Sequence, residues 1–438
     1  MNKRIIIIGS GLSGPLLALL LAQKGYTIDL YEKRLDPRKG SSHTGRSINL
    51  SLSHRGIQAL KSANVFKDIA PYLIPMKGRM IHCENGELDF QPYSLNSNEY
   101  INSVSRDKLN KVLMTATENT GKVNIYFNHT LIEVTSDELK FSSGRTIPNK
   151  GIIFGADGVG SKLRKFIDTT TNSPSRAEPL GHAYKELNIK PGNTRKFQID
   201  NNSLHIWPRG TFMLIALPNT DGSFTCTLFM PNEGEVSFAS LKNQADVINF
   251  FNTHFTDALP LFENFPQSFF DNPTGKLATI YSDKWHTDNL CLIGDAAHAV
   301  VPFFGQGMNA SFEDCQVLLD CLSISNNNWE LALPLFNKTR KPDVDSIAKM
   351  AIENYIEMRD LVTQPNYILR KKIASTLSEK FPHKFIPRYN MVSFSSIPYS
   401  EVYKRGEIQQ EIISELMCEK LDLCKAEILI NKRLKEIE

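Results

Sequence analysis

A chain of 438 residues is too long for one small module and predicts two or three domains of ordinary size. With 41% hydrophobic and 22% charged residues it reads as an ordinary folded protein, neither disordered nor fibrous. Fifty basic residues against 47 acidic ones leave a net charge of +3, too weak a field to attract nucleic acid.

The apolar, β-branched run 3–8 predicts a strand, 16–24 a helix and 27–31 a second strand, together a βαβ unit. Between the first strand and the helix lies Gly9-Ser10-Gly11-Leu12-Ser13-Gly14, and Glu32 follows Gly14 by 18 residues, close to the spacing of a dinucleotide fingerprint. The three glycines have different roles. Gly9 permits the tight turn, Gly11 lets a pyrophosphate approach the backbone, and Gly14 lets helix and strand pack closely. The helix N-terminus then offers unpaired N–H groups and partial positive charge to the diphosphate. Glu32 accepts hydrogen bonds from a ribose 2′-hydroxyl and repels a 2′-phosphate, which favours FAD or NAD over NADP in this site. Lys3 and Arg4 before the apolar run imitate a secretory leader. The three glycines and Pro15 break that run, and it is too short to span a bilayer, so no leader is expected.

A polar linker, 36–45, leads into strand and helix to about residue 71, then a mostly extended stretch, 79–102. Residues 106–119 have helical periodicity, and 122–141 read as strands separated by Asn/Asp turns. The strand that opens at Gly151 ends in Gly155-Ala156-Asp157-Gly158. Residues 177–279 are rich in strand-like segments, with a helical pattern around 241–255. The strand 290–293 runs directly into Gly294-Asp295-Ala296-Ala297-His298, and 308–322, most of 330–367 and 405 to the end are helical. The tail has no apolar stretch long enough for a membrane anchor. Seven scattered cysteines without a C-x-x-C read as free thiols in a reducing cytoplasm, and no H-E-x-x-H or close histidine pair suggests a metal.

The three motifs in order, at Gly9, Gly155 and Gly294, with a strand-rich segment between the last two, resemble the single-component FAD-dependent aromatic hydroxylases. The resemblance implies that Asp295 binds the ribityl chain of FAD and that Asp157 stands near the cofactor in a motif linked to pyridine-nucleotide use. Pro302-Phe303-Phe304-Gly305-Gln306-Gly307-Met308-Asn309 opens the next helix, whose amides and dipole would stabilise negative charge on reduced flavin. His298 is read as a packing or hydrogen-bonding residue.

The longer runs at 45–56, Arg79-Met80-Ile81-His82, Ser103-Val104-Ser105-Arg106 and 302–309 are similar to the kynurenine 3-monooxygenase branch of that family, most strongly up to residue 110 and over 290–315. That similarity implies hydroxylation of L-kynurenine to 3-hydroxy-L-kynurenine with NADPH and O2 through a flavin C4a-hydroperoxide, the chemistry being carried by FAD with no catalytic side chain. It assigns Arg79, Tyr93, Asn354 and Tyr389 to the substrate carboxylate, in keeping with a guanidinium fork completed by phenols and an amide. Phe303, Phe304 and Met358 are candidate walls for the aromatic ring. Beside Gly9, Gly11, Gly14 and Asp157, the matching FAD positions are Ser13, Tyr31, Glu32, Lys33, Arg34, Ser51, Arg106, Leu131, Asp295, Met308 and Asn309.

The expected fold is α/β: a Rossmann-like FAD-binding domain (1–76, 104–176 and 280–328), an inserted, mainly β substrate domain (77–103 and 177–279) and a C-terminal helical region (329–438). Two alternatives stay open at this point, a related FAD hydroxylase of another aromatic acid or phenol and a non-oxygenating electron-transfer flavoprotein. A cytoplasmic protein free of membrane and nucleic acid is expected. The sequence shows no docking site for NADPH and does not choose between monomer and dimer.

Overall fold

A computed structural model describes residues 4–40, 49–358, 364–417 and 421–437. Residues 45–48 of the 45–56 run, the end of the polar linker and Cys418 lie outside the described residues.

Five parallel strands form one sheet in the order Leu290–Leu292, Ile152–Gly155, Arg4–Ile8, Thr27–Tyr31, Val123–Tyr126. Parallel strands are covered on both faces, which is why Ile5, Ile7 and Ile8 are all buried and the run reads as continuously apolar. The helix Ser13–Gln23 is buried over every residue from Gly14 to Ala22, as its all-round apolar sequence requires. From Arg4–Ile8 the chain moves to Thr27–Tyr31 on one side and later to Ile152–Gly155 on the other. The reversal of strand order there opens a crevice at the C-terminal strand ends, where ligands of such sheets bind. The Gly9–Gly14 loop and the Asp157-Gly158 turn both leave their strands at this point.

A second sheet has seven strands, in the order Thr274–Tyr281, Arg176–Ile189, Phe224–Pro231, Phe212–Pro218, Ser203–Arg209, Gly78–His82, Leu88–Pro92. Every pairing is antiparallel except that of Ser203–Arg209 with Gly78–His82. Alternation along these strands splits them between two cores. Trp207, Leu214 and Leu228 pack with Phe250, Phe251 and Phe255 around the helix Gln244–His254. Ile206, Met213, Ile215 and Phe229 face the main core on the other side. A small three-stranded sheet, Asn49–Leu52, Ile101–Ser105 and Ile74–Met76, carries Ser51.

The C-terminal part is built from the helices Trp329–Ile356, Pro365–Lys380, Arg388–Phe394, Tyr399–Leu416 and Leu423–Arg433. Tyr399 donates to Gln306 Oε1 at 2.9 Å and lies under the Arg55 guanidinium, 3.9 Å from ring centroid to Cζ, so these helices are tied to the turn that precedes the helix Gly307–Ile324. Among the described residues no helix is long and apolar enough to cross a membrane.

A buried ionic network locks the same region. Asp314 accepts from Arg340 Nε at 2.9 Å, from the Gly294 N–H at 3.2 Å and from His298 Nε2 at 2.5 Å. Arg340 also meets Glu313 at 2.9 Å, and Glu313 pairs with Arg55. Burial pushes the Asp314 carboxyl pKa up, but His298 and Arg340 outweigh it and hold it below the ordinary carboxylate value. Its stabilisation is therefore complete above about pH 4 and is lost as the pH falls through the depressed folded-state value. Asp314→Ala leaves a buried guanidinium short of a partner and is expected to cost about 3–5 kcal/mol in urea unfolding at pH 7, with a shallower acid-side loss of stability than in the parent chain. Equal unfolding midpoints for variant and parent would remove the network from the account of stability.

Candidate active site and cofactor cleft

A cavity of about 890 Å3 opens at the strand-end crevice, within the range of ordinary ligand sites. It runs from the Gly9–Ser13 loop and Glu32 past Asp157, Asp295 and Met308 to an apolar end lined by Ile215, Phe229, Phe303 and Phe304.

The polar end fits the adenosine-diphosphate part of FAD. Gly9 has φ +104°, and a Cβ there would strike the Ala156 carbonyl; a Cβ on Gly14 would overlap the Gly9 carbonyl oxygen. A Cβ on Gly11 would meet nothing within 4 Å, so that glycine faces open space at the helix N-terminus, as a diphosphate requires. Glu32 Oε2 accepts from the Ser10 N–H at 2.7 Å, and Oε1 accepts from the Arg34 N–H and Nε at 2.9 and 2.7 Å. Burial raises the Glu32 pKa, but Arg34 and the backbone donors bring it below the ordinary value, leaving an ionised acceptor for ribose hydroxyls. Lys33 and Arg34 are exposed at the rim. Leu131 and Tyr31 both line the cavity, the Tyr31 ring being packed between Tyr126 and Phe141 at 4.9 and 4.7 Å.

The middle of the cleft fits the rest of the cofactor. Arg106, at the start of the helix Arg106–Asn119, and Asp295, at the start of Asp295–His298, both face the cavity. Water reaches Asp295 through that cavity, yet the surrounding protein raises its pKa against the pull of His298 and Arg106. Asp157 accepts from the Lys162 N–H through Oδ2 at 2.9 Å, while its buried Oδ1 has no partner among the described residues. Burial raises the Asp157 pKa as well. Gly307 and Met308 bring the N-terminus of an 18-residue helix to the same wall. The orphaned Asp157 oxygen, open space at Gly11 and two helix N-termini on one cleft form a donor and acceptor set suited to FAD.

The side chains of two sequence-assigned residues are drawn into hydrogen bonds with backbone carbonyls. Asn309 accepts from the Ser53 N–H at 2.9 Å and donates to the Ser51 and Gly305 carbonyls at 2.8 and 2.9 Å, so it staples two loops rather than facing the cleft. Only its backbone, at the helix start, is left for a cofactor. Asn354 donates from Nδ2 to the Phe303 carbonyl at 2.7 Å and to Met358 Sδ at 3.2 Å. His298 lines neither cavity of the site and is paired with Asp314.

Beyond the apolar end lies a larger cavity, about 1940 Å3, between the strands Gly78–His82 and Leu88–Pro92 and the C-terminal helices. The two cavities share Arg79, Phe304, Met358 and Tyr389. At this junction the rings of Tyr93 and Tyr389 stack at 4.9 Å, and the Arg79 guanidinium lies 5.0 Å from the Tyr389 ring centroid and 5.8 Å from that of Tyr93. Phe304 stacks on Tyr389 at 5.5 Å, and Phe303 meets Phe229 edge-on at 4.9 Å. Arg79 Nε and Tyr93 Oη are buried with no hydrogen bond of normal geometry to a described residue. Burial works against the Arg79 charge, but Tyr389, Tyr93 and Glu357 outweigh it and raise the guanidinium pKa. Burial holds the Tyr93 phenol well above its ordinary value, so it stands as a neutral donor. Sequence reasoning passed over Glu357, Tyr367 and Lys371, which also line the larger cavity; the available signal was the position of Glu357 three residues beyond Asn354.

A sequence model of the FAD binding domain matches residues 2–329. The chain is 44% identical to a kynurenine 3-monooxygenase of Myxococcus xanthus, over 98% of this chain and 95% of that protein. It is also 44% identical to a kynurenine 3-monooxygenase of Cytophaga hutchinsonii, over 95% and 94%. Among solved structures, a tetrameric form of 2-methyl-3-hydroxypyridine-5-carboxylic acid oxygenase superposes with a TM-score of 0.67 at 19% identity, covering 83% of this chain and 95% of that one, a likeness of fold.

Proposed function

The chain belongs to the kynurenine 3-monooxygenases, and on that premise we propose that it converts L-kynurenine, NADPH, a proton and O2 to 3-hydroxy-L-kynurenine, NADP+ and water, with the substrate carboxylate held by Arg79. The observation that supports this site is a pair of buried polar atoms, Arg79 Nε and Tyr93 Oη, that make no hydrogen bond of normal geometry to a described residue where the apolar end of the cofactor cleft meets the second cavity.

A guanidinium fork takes a carboxylate bidentately, and the hydroxyls of Tyr93 and Tyr389 add neutral donors beside it. When bound, FAD supplies the redox chemistry, accepting electrons from NADPH and delivering one oxygen atom of O2 to the ring. Gly9–Gly14, Glu32, Arg106 and Asp295 would hold it. Phe229, Ile215, Phe303 and Phe304 give the ring an apolar wall that keeps water from the reacting centre. Asn354 acts at one remove, fixing the Phe303 carbonyl and with it the turn that leads into the helix Gly307–Ile324.

The division into a discontinuous FAD-binding part, a sheet part and a helical tail belongs to the same reading. It is supported by the confinement of the seven-stranded sheet to strands within 78–92 and 176–281. The six described cysteines are free thiols, which supports a cytoplasmic setting.

NADPH consumption by the FAD-loaded protein, with and without L-kynurenine, tests the proposal when the products are weighed by mass spectrometry. The expected result is kynurenine-stimulated oxidation and a product one oxygen heavier. NADPH oxidation indifferent to kynurenine, with no heavier product, would overturn it.

A further inference from the structure

Arg79 stands on the strand Gly78–His82, and the last residue of that strand belongs to a hydrogen-bonded chain that lines neither cavity. We propose that His82 is a positioning residue for Arg79: doubly protonated, it links Asp257 to His205 and fixes from behind the strand that presents the guanidinium. The assignment rests on the function proposed above.

Alternation turns Arg79 and Ile81 toward the larger cavity and His82 to the opposite face of the sheet, where its ring stacks on Trp207 at 3.8 Å. His82 and His205 are both buried. His82 Nδ1 lies 2.7 Å from Asp257 Oδ2, and its Nε2 lies 2.9 Å from His205 Nδ1. His205 Nε2 is 2.6 Å from the Asp200 carbonyl oxygen. These contacts have a fixed polarity. A carbonyl only accepts, so His205 carries its proton on Nε2, and burial pushes the His205 pKa down to about 4, which leaves Nδ1 as an acceptor. His82 Nε2 is then a donor. At the other end Asp257 Oδ2 also accepts from Trp207 Nε1 at 2.8 Å. Burial raises the Asp257 pKa, but His82 and Trp207 outweigh it and hold it below the ordinary carboxylate value. His82 Nδ1 is therefore a donor too, and every link is made at once only when His82 carries both protons.

The other charges around His82 are already engaged. Arg209, on the strand Ser203–Arg209, donates to the His82 carbonyl at 2.9 Å and to the His254 carbonyl at 2.7 Å, and Glu84 and Asp257 favour its charge against burial. Asp200 accepts from Ser203, Glu87 from Asn85 and Asp89 from Gln91, and burial raises the Cys83 thiol pKa. Loss of one proton from His82 breaks a link, to Asp257 or to His205. That frees the end of a strand whose outer neighbour, Leu88–Pro92, is exposed at the sheet edge.

The test measures L-kynurenine affinity of the FAD-loaded parent, His82→Gln and Asp257→Asn enzymes from about pH 5.5 to 8.5, the range in which histidine titrates, with KM, kcat and the ratio of FAD to protein alongside. Parent affinity is expected to be full at the acid end and to fall in one step as the pH rises and His82 gives up its proton. His82→Gln should bind roughly tenfold more weakly than the parent at the acid end, without that step, with kcat within about twofold and FAD retained. Asp257→Asn keeps an acceptor but loses the charge that holds the proton, so its step should move to lower pH. A parent affinity that is flat over this range overturns the assignment. So does a His82→Gln enzyme with the parent's affinity and profile, or one that loses FAD, kcat and affinity together, as a merely structural role would. An Asp257→Asn step at the parent's pH overturns it without any His82 variant. A parent enzyme that binds no L-kynurenine at any pH fails the functional proposal itself, and the assignment falls with it.

Discussion

Arg79→Ala is expected to lower affinity for L-kynurenine by at least about a hundredfold while the purified protein stays yellow. The substitution removes one partner of a charge pair in a largely desolvated site, a loss of about 3–5 kcal/mol where water is excluded. Several features of the site argue for the upper part of that range. Among the described residues Arg79 Nε and Tyr93 Oη are both buried without a hydrogen bond of normal geometry, so the site holds donors that an added acceptor would satisfy. Tyr93 and Tyr389 remain after the substitution, yet neutral phenols cannot replace a guanidinium fork. Arg79→Lys should recover only part of the loss, because an ammonium is a point charge without the planar geometry. FAD binding should survive, since Arg79 lies on the seven-stranded sheet and the Gly9–Gly14 loop and Glu32 on the parallel one. Kynurenine titration followed by flavin absorbance, beside the ratio of FAD to protein, reads both effects. Loss of FAD with intact kynurenine affinity would reverse the assignment of Arg79.

The local code of the cofactor half was legible because its constraints are short-range. A β-branched run, three glycines and an acid 18 residues on give strand, turn, helix and ribose acceptor within 32 residues. The helix Arg106–Asn119 coincides with its sequence periodicity, since Ser105 caps it by accepting from the Lys108 N–H at 3.4 Å. The substrate half depends on contacts that no local pattern encodes. Gly78–His82 joins its sheet by pairing in parallel with Ser203–Arg209, more than 120 residues away, and that pairing places Arg79. The amide nitrogens of Asn309 and Asn354 read as ligand contacts in sequence, but backbone carbonyls take both, Ser51 and Gly305 for Asn309 and Phe303 for Asn354, while Asn354 still lines the larger cavity. Glu357 was passed over because an acid near the end of a helix has the pattern of a solvated side chain. Only the arrival of Tyr367, Lys371 and Arg79 around it gives it a different environment.

Gly14→Ala is expected to yield a protein that is colourless as purified and melts well below the parent chain. The added Cβ would overlap the Gly9 carbonyl oxygen, and neither side has room to yield. Gly9 is held by its N–H donating to the Tyr31 carbonyl at 2.8 Å, and its own position is closed off by the Ala156 carbonyl. Ala156 in turn donates to the Ile8 carbonyl at 2.8 Å, so three strands of the parallel sheet back the contact. The helix Ser13–Gln23 is then the element that moves, and overpacking of this kind costs about 1–3 kcal/mol. Its N-terminus, where the diphosphate would bind, moves with it, so FAD affinity falls together with stability. Gly11→Ala separates the two effects. Its Cβ meets no protein atom within 4 Å, so the melting temperature of the apoprotein should match that of the parent, while the methyl group intrudes on the cofactor's space and weakens FAD binding. Thermal melts of both apoproteins and FAD titration of each provide the check. A yellow Gly14→Ala protein with an unchanged melting temperature would show that this loop is not the tight helix-to-strand contact on which the cofactor site is built.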